Sequence, residues 1–197
     1  MNIKRTKKME IKSNIIRCAV KTKEERVQKG GNKLPIIKKE FELINVSIAG
    51  CLSSENEKDY NHYRTVSKSL KGTNDRAVSL VTNDIYENLK KVADGVQVGD
   101  LGENLTISNL LYNELKSGIN LRIGEVVLEI TESCIPCARL GFLEWSDQLG
   151  GKSWWNKRNK SEISQFLNDE GGRGWYAKVI KEGKIIRSDV VEFYIKK

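Results

Sequence analysis

Apolar and polar positions along this chain alternate in short runs, and only two or three stretches carry the wider spacing of a helix. Residues 11–20, Ile-Lys-Ser-Asn-Ile-Ile-Arg-Cys-Ala-Val, are rich in β-branched side chains and predict a first strand. Residues 21–33 are polar and contain Gly30-Gly31, so a loop is expected there. Residues 36–49 alternate imperfectly through Ile36, Ile37, Phe41, Ile44, Val46 and Ile48, predicting a second strand or a pair of strands. Residues 50–73 form a long polar segment spotted with aromatics, which includes Asp59-Tyr-Asn-His-Tyr-Arg64. Segments of that length inside a domain are usually functional or disordered, and the tyrosines, histidine and arginine point to function.

Residues 76–82 predict a clear strand. Asn83 or Asp84 then caps a short helix over 85–92, with Ile85, Leu89 and Val92 at helical spacing. A glycine-punctuated turn at 99–107 carries Asp100, Glu103 and Asn104. Residues 121–131 read as a strand with an internal Gly124-Glu125 turn, and Cys134-Ile-Pro-Cys137 follows it. Residues 138–149 and 161–167 are expected to be helical. Residues 174–180 and 190–195 predict closing strands, joined by the Glu182-Gly183 turn. Many strands and few short helices give a mainly β (α+β) class, with a barrel-like core decorated by helices. The 197 residues suffice for one domain, taken as residues 9–197 behind a basic flexible tail at 1–8.

Charge changes this picture little. The net charge of +8 sits at the start of the chain: residues 1–40 hold 13 Lys and Arg against 4 Asp and Glu, and the remainder holds 21 against 22. Those first 40 residues contain no aromatic side chain, whereas nucleic-acid surfaces interleave the two, so a solvated basic face is expected and nucleic acid is not. No apolar run approaches the ~20 residues of a membrane span, and the start of the chain lacks the apolar stretch of a secretory signal, which predicts a cytoplasmic protein without membrane contact.

The candidate chemistry is sulfur. Cys18 and Cys51 stand apart, whereas Cys134 and Cys137 form a C-x-x-C. If a helix starts there, Pro136 suits its first position and Cys137 its first turn. The helix dipole and nearby Arg139 would then favour a thiolate, which is a soft metal ligand or nucleophile. A thioredoxin-like pair would need a βαβ context that is missing. A zinc site would need a second ligand pair, and only His62, Cys18 and Cys51 remain, at no recognisable spacing. The bland alternative is two small buried hydrophobes. The 99–107 turn lacks a dinucleotide fingerprint, and its two acids would repel a phosphate unless they point away, so spacing alone favours a shaped bulge. The tryptophans read as packing residues.

Taken in order, Asp59-Tyr-Asn-His62, Asp75-Arg-Ala-Val-Ser-Leu80, Gly99-Asp-Leu-Gly-Glu-Asn-Leu105, Ile123-Gly-Glu, Leu128-Glu-Ile-Thr131, Pro136-Cys137 and Gly174-Trp-Tyr-Ala-Lys-Val resemble the MOSC domain, named for the C-terminus of molybdenum cofactor sulfurase. The stand-alone bacterial members are the nearest type, and the resemblance runs from about Ile11 onward. It implies a β-barrel of the pyruvate-kinase-barrel type that binds the molybdenum cofactor, a Mo-pterin. It also implies that Cys137 ligates the metal or carries sulfur, and that it is the catalytic residue.

The same resemblance assigns further cofactor contacts. Asn104 matches the asparagine of the family turn, Lys21 and Thr22 a basic and hydroxyl pair near the pterin phosphate, Thr82 a hydroxyl contact, and Arg64 or Arg76 an anion-binding arginine. Two departures stand in the long segment: Lys58 occupies the usual glycine position, and His62 is the single histidine. The sulfurase's pyridoxal-phosphate domain has no counterpart, so pyridoxal phosphate is not expected. Because some relatives reduce N-hydroxylated compounds with electrons from a partner, the implied activity is a molybdenum-dependent reduction of a small N-hydroxylated substrate, fed by an electron-donor protein. The alternatives are a persulfide or cofactor carrier that serves a cofactor-accepting enzyme, and a non-catalytic basic binding module.

Overall fold

A computed structural model describes residues 12–22, 36–59, 74–150, 153–155 and 161–195. Arg64, His62 and the basic tail lie outside the described residues. The first strand, β1 (Ser13–Val20), is followed by β2 (Lys39–Phe41), β3 (Leu43–Ser47), β4 (Gly50–Leu52), β5 (Val78–Thr82), β6 (Leu105–Ser108), β7 (Ile119–Ile123), β8 (Val126–Ser133), β9 (Trp175–Lys181), β10 (Gly183–Ile186) and β11 (Val190–Ile195). Two short helices, α1 (Asn83–Lys90) and α2 (Glu162–Asn168), complete the regular elements, with 3-10 turns at Ala138–Phe142 and Glu144–Leu149.

Strands pair in the order β11-β7-β8-β9-β5-β6-β1, and β11 pairs back onto β1, so seven strands close into a barrel. Closure removes the sheet edges that would otherwise need covering. The contacts are antiparallel except β5 against β6. One strand serves three partners: Ser13 and Asn14 of β1 face β11, its middle pairs with β6, and Cys18 to Val20 pair with β2 on the outside. A register shift between Ile15 and Arg17 lets it bend between them. A small second sheet, β10-β3-β4, lies beside the barrel.

The period-2 pattern explains the layering. Val78 and Leu80 of β5, Leu105 and Ile107 of β6, Leu128 and Ile130 of β8, and Trp175 and Ala177 of β9 fill the barrel interior. The intervening positions face outward. On β5 that outer face is also buried, because Val81 packs with Ile85, Tyr86 and Leu89 of α1, Leu140, Leu143 and Trp145 of the 3-10 turns, and Trp154, Ile163 and Leu167. A strand covered on both faces reads as a continuous apolar run, as 76–82 does.

Several expectations need correcting. Residues 121–131 are a hairpin, β7 and β8, turning at Gly124-Glu125. The Glu182-Gly183 turn leads into β10, which pairs with β3 in the second sheet before β11 closes the barrel. Residues 138–149 form two 3-10 turns rather than an α-helix, and part of the long segment after Gly50 is strand β4. The first helix begins at Asn83 with Thr82 at its cap position, and it has no side-chain cap bond. Residues 161–167 behave as expected, with Ser161 Oγ accepting from the Ser164 amide at the start of α2.

Candidate functional site

The 99–104 turn is built from inside by one hydroxyl. Tyr86 Oη, carried on α1 and fully buried, accepts from the amides of Gly99 (2.9 Å) and Leu101 (3.2 Å) and donates to Glu103 Oε2 at 2.7 Å. Burial first, and then the Glu103 charge, pushes the Tyr86 phenol well above its ordinary range, so it stays protonated as that donor. Thr106 Oγ1 donates to the other Glu103 oxygen at 2.6 Å, and Asp100 Oδ2 accepts from the Gln97 amide and from Trp145 Nε1. Both acids of the turn are therefore held by protein donors, and neither lines the cavity described next.

Two glycines let the turn approach its neighbours. Gly102 has φ +74°, and a Cβ there would stand 2.5 Å from the Ile36 carbonyl oxygen; at Gly99 (φ +104°) it would meet the Arg17 guanidinium at 2.6 Å. Gly102→Ala is expected to cost about 1–3 kcal/mol, combining a positive φ with a backbone clash. Its urea midpoint should fall, while Gly118→Ala, where a Cβ meets nothing within 4 Å, carries only the cost of its positive φ.

Beneath the turn lies a buried polar network. Asn104 Oδ1 accepts from the Ser79 amide (3.1 Å) and Ser79 Oγ (3.0 Å), and its Nδ2 donates to the Ala19 carbonyl (2.9 Å) and Asp59 Oδ2 (2.8 Å). That one side chain ties β5, β1 and the segment after β4 together. Asp59 Oδ2 also accepts from the Lys21 amide at 3.2 Å and pairs with Lys38 Nζ at 2.9 Å. The Lys38 contact is short yet badly aligned, so its fully buried ammonium counts as an ion pair without a hydrogen-bonded partner. Arg17 holds the strap that carries Lys38: its Nη2 donates to the Lys38 carbonyl, its Nη1 to the Glu103 carbonyl and its Nε to Glu40.

Against this network sits a cavity of about 170 Å³, lined by Lys38, Cys134, Cys137, Arg139, Arg173 and Tyr176 together with Ile36, Ser79, Leu101 and Gly102. It lies on the outer wall of the barrel. Ser79 sits between Val78 and Leu80, and Tyr176 between Trp175 and Ala177, all four of which point into the core. The barrel interior itself is packed with apolar side chains, so the mouth of the barrel, where the sequence would set a ligand, is not where the cavity lies.

The two sulfurs differ. Cys137 is exposed, whereas Cys134 is buried, and burial pushes its thiol up to about 11 despite the opposing pull of Arg173 and a hydrogen bond with Tyr176. Facing that sulfur, and buried, the Tyr176 phenol is itself raised to about 12. Cys137 occupies the position before the Ala138–Phe142 turn, with its carbonyl accepting from the Leu140 amide. The α-helical first-turn setting expected for it is absent, because Pro136 and Cys137 are both extended before a single 3-10 turn. Cys18 is pushed up to about 12, and Cys51 rises further, both through burial. At pH 8 a thiol at about 11 is ionised to roughly one part in a thousand, and burial excludes reagent as well. Iodoacetamide should therefore add one label to the native protein, at Cys137, and four after denaturation, as read by peptide mass spectrometry.

Of the residues singled out from sequence, Cys137 lines the cavity, and Asn104 and Lys21 join its floor through Asp59, with the Lys21 Nζ donating to the Ile37 carbonyl. Thr22 follows Lys21 with a buried hydroxyl that has no partner. Arg76 is held by Glu132 in a two-point pair (2.6 and 2.9 Å) and stacks on the Tyr176 ring, one layer away from the cavity. Thr82 is separate. It registers with Ile107, which registers with Ile15 near the start of β1, whereas Thr22 follows the end of that strand. Lys38, Arg173, Tyr176 and Ser79 escaped the sequence reading as site residues; the signal available was Arg173 standing directly before Gly174-Trp-Tyr.

A closed seven-stranded barrel, with a cation-lined, thiol-edged cavity on its wall, defines a ligand-binding barrel of the cofactor-domain kind. The chain belongs to the MOSC domain family, whose model matches residues 67–192. The family is associated with molybdenum-cofactor binding. Among solved structures, YuaD of Bacillus subtilis superposes with a TM-score of 0.65 at 14% identity, covering 95% of this chain and 98% of that one. YiiM of Geobacillus stearothermophilus gives 0.60 at 15% (92% and 75% covered), and YiiM of Escherichia coli 0.55 at 17% (93% and 71%). These similarities carry the fold. No curated protein matches the chain in sequence. No helix among the described residues is long and apolar enough to cross a membrane.

Proposed function

We propose that this protein binds the molybdenum cofactor at the outer-wall cavity, with the Cys137 thiolate as metal ligand, and reduces an N-hydroxylated small molecule with electrons from a donor protein. The observation that carries the reading is the exposed Cys137 sulfur at the edge of a cavity whose other polar walls are Lys38, Arg139 and Arg173. The fit is chemical. A buried ammonium and the Arg173 Nε lack hydrogen-bond partners, which suits an anionic ligand, and a thiolate suits a soft metal. Among the described residues no group of three His, Cys, Asp or Glu side chains converges on a metal, so a metal held by Cys137 would bring its other ligands with it. A cavity of about 170 Å³ is below the ~300 Å³ of common ligand pockets and suits one end of such a ligand.

When bound, the cofactor would supply the two-electron redox chemistry. The chain's own residues do the rest. Cys137 fixes the metal-bearing end while its exposed position leaves room for substrate beside it. Lys38, Arg139 and Arg173 oppose the ligand's negative charge, and Arg17 and Asp59 hold Lys38 in place. Asn104 fixes the floor without spending any of its own groups on ligand.

Metal and pterin analysis of freshly purified protein tests this reading, together with reduction of an N-hydroxylated amidine by a chemical electron donor. Stoichiometric molybdenum and pterin with turnover support it. A persulfide on Cys137 without turnover would replace it with the sulfur-carrier reading, which the exposure of that thiol also permits.

A further inference from the structure

We infer that the Lys38, Arg139 and Arg173 walls form an oxyanion subsite suited to a doubly charged group of the phosphate-ester class. This deepens the reading above by naming the chemistry its cavity recognises, and it rests on that cavity rather than on molybdenum.

The argument is one of charge and unmet valence. Three cations from three separate segments line one small space: the strap before β2, the loop after β8 and the loop before β9. No carboxylate lines it among the described residues. Lys38 is cancelled by Asp59, whose Oδ2 is already shared with the Lys21 amide and Asn104. Arg139 has no ion pair or hydrogen bond among the described residues, and Arg173 donates only to the Leu101 carbonyl, leaving its buried Nε without a partner. Two positive charges thus stand uncompensated around a cavity of about 170 Å³, room for a tetrahedral oxyanion and little more.

Buried donors without acceptors are uncommon in folded proteins and mark a place where a ligand completes the set. Arginine pairs bind such groups through two parallel N–H bonds, and the off-axis Lys38 ammonium retains protons to offer. A dianion matches the two open charges, whereas a protonated base is repelled.

The test uses the full chain as purified, with pterin measured on the same sample and inorganic phosphate titrated by calorimetry. Arg139→Gln and Arg173→Gln are the variants; Lys38 is left intact because its loss would strand Asp59. If the sample lacks pterin, phosphate should bind, more tightly at pH 7.5 than at 5.5 as its second proton leaves, and each variant should weaken it at least about tenfold. If the sample carries pterin, phosphate is excluded and the variants lose pterin when the oxyanion is the cofactor's own. If the variants keep pterin while phosphate competes with substrate, and does so less well in each variant, the oxyanion is the substrate's. Phosphate that fails to bind a pterin-free sample, or binds it equally in both variants, overturns the assignment. So does a pterin-bearing sample in which the variants keep pterin and phosphate does not compete. Cys137→Ala separates this from the metal reading: it should abolish metal retention and leave phosphate binding unchanged.

Discussion

Cys137→Ala is expected to leave the barrel folded and to strip the protein of metal-dependent turnover. The side chain is exposed and touches no core, so its loss should change stability by no more than about 0.5 kcal/mol. Removing groups that only orient a metal ligand typically costs 10–100-fold, so removing the ligand itself should cost more than about 100-fold in activity and metal content. Cys134→Ala should behave in the opposite sense. That thiol is buried against Tyr176 and carries its proton at working pH, so its loss should lower stability by about 1 kcal/mol and activity only mildly. Metal analysis, turnover and urea midpoints on the two variants separate them. Equal loss of activity from both would point to a dithiol mechanism and end the single-thiolate reading.

Asn104→Ala should be among the most damaging single substitutions in the chain, by about 3–5 kcal/mol in urea unfolding. Four partners lose their bonds at once: the Ser79 amide and hydroxyl, the Ala19 carbonyl and the Asp59 carboxylate, all buried. Each group stranded without water costs roughly 1–3 kcal/mol, partly offset by relaxation. Asp59→Ala should cost a similar amount, about 3–5 kcal/mol, because it leaves the Lys38 ammonium buried and unpaired. The Asn104–Asp59 bond of 2.8 Å couples the sites, so the double variant should lose less than the sum. An Asn104→Ala protein within 1 kcal/mol of the parent would show that the network contributes little and that this amide is free for other work.

How legible the site was depended on the kind of signal each residue gave. Cys137 stood out because a C-x-x-C off a strand is uncommon and chemically loud. Asn104 stood out as part of a recognisable turn, yet sequence could not say that its amide would be consumed tying three segments together. Lys38 and Arg173 were invisible, since a lysine among lysines or an arginine beside glycines looks like solvated surface. They become site residues only because Arg17 anchors the strap at Lys38 and the Cys134 amide binds the Gly174 carbonyl. Thr82 and Thr22 looked equivalent as hydroxyls ending strands, and the antiparallel pairing of β1 with β6 put them at opposite ends of the barrel.

By itself the sequence determined the things that depend on neighbours along the chain. Alternation fixed the strands and their inward faces, spacing fixed the first helix, and motif order marked the family and its thiol. Tertiary structure decided everything that depends on which strand meets which: closure through β11 onto β1, the removal of β10 to a second sheet, and the filling of the barrel interior with apolar side chains. That filling forced the polar residues between core positions onto the outer wall, where three cations and a sulfur from distant segments converge. Charges so far apart in sequence leave no local pattern, because only the folded backbone brings them within reach of one ligand.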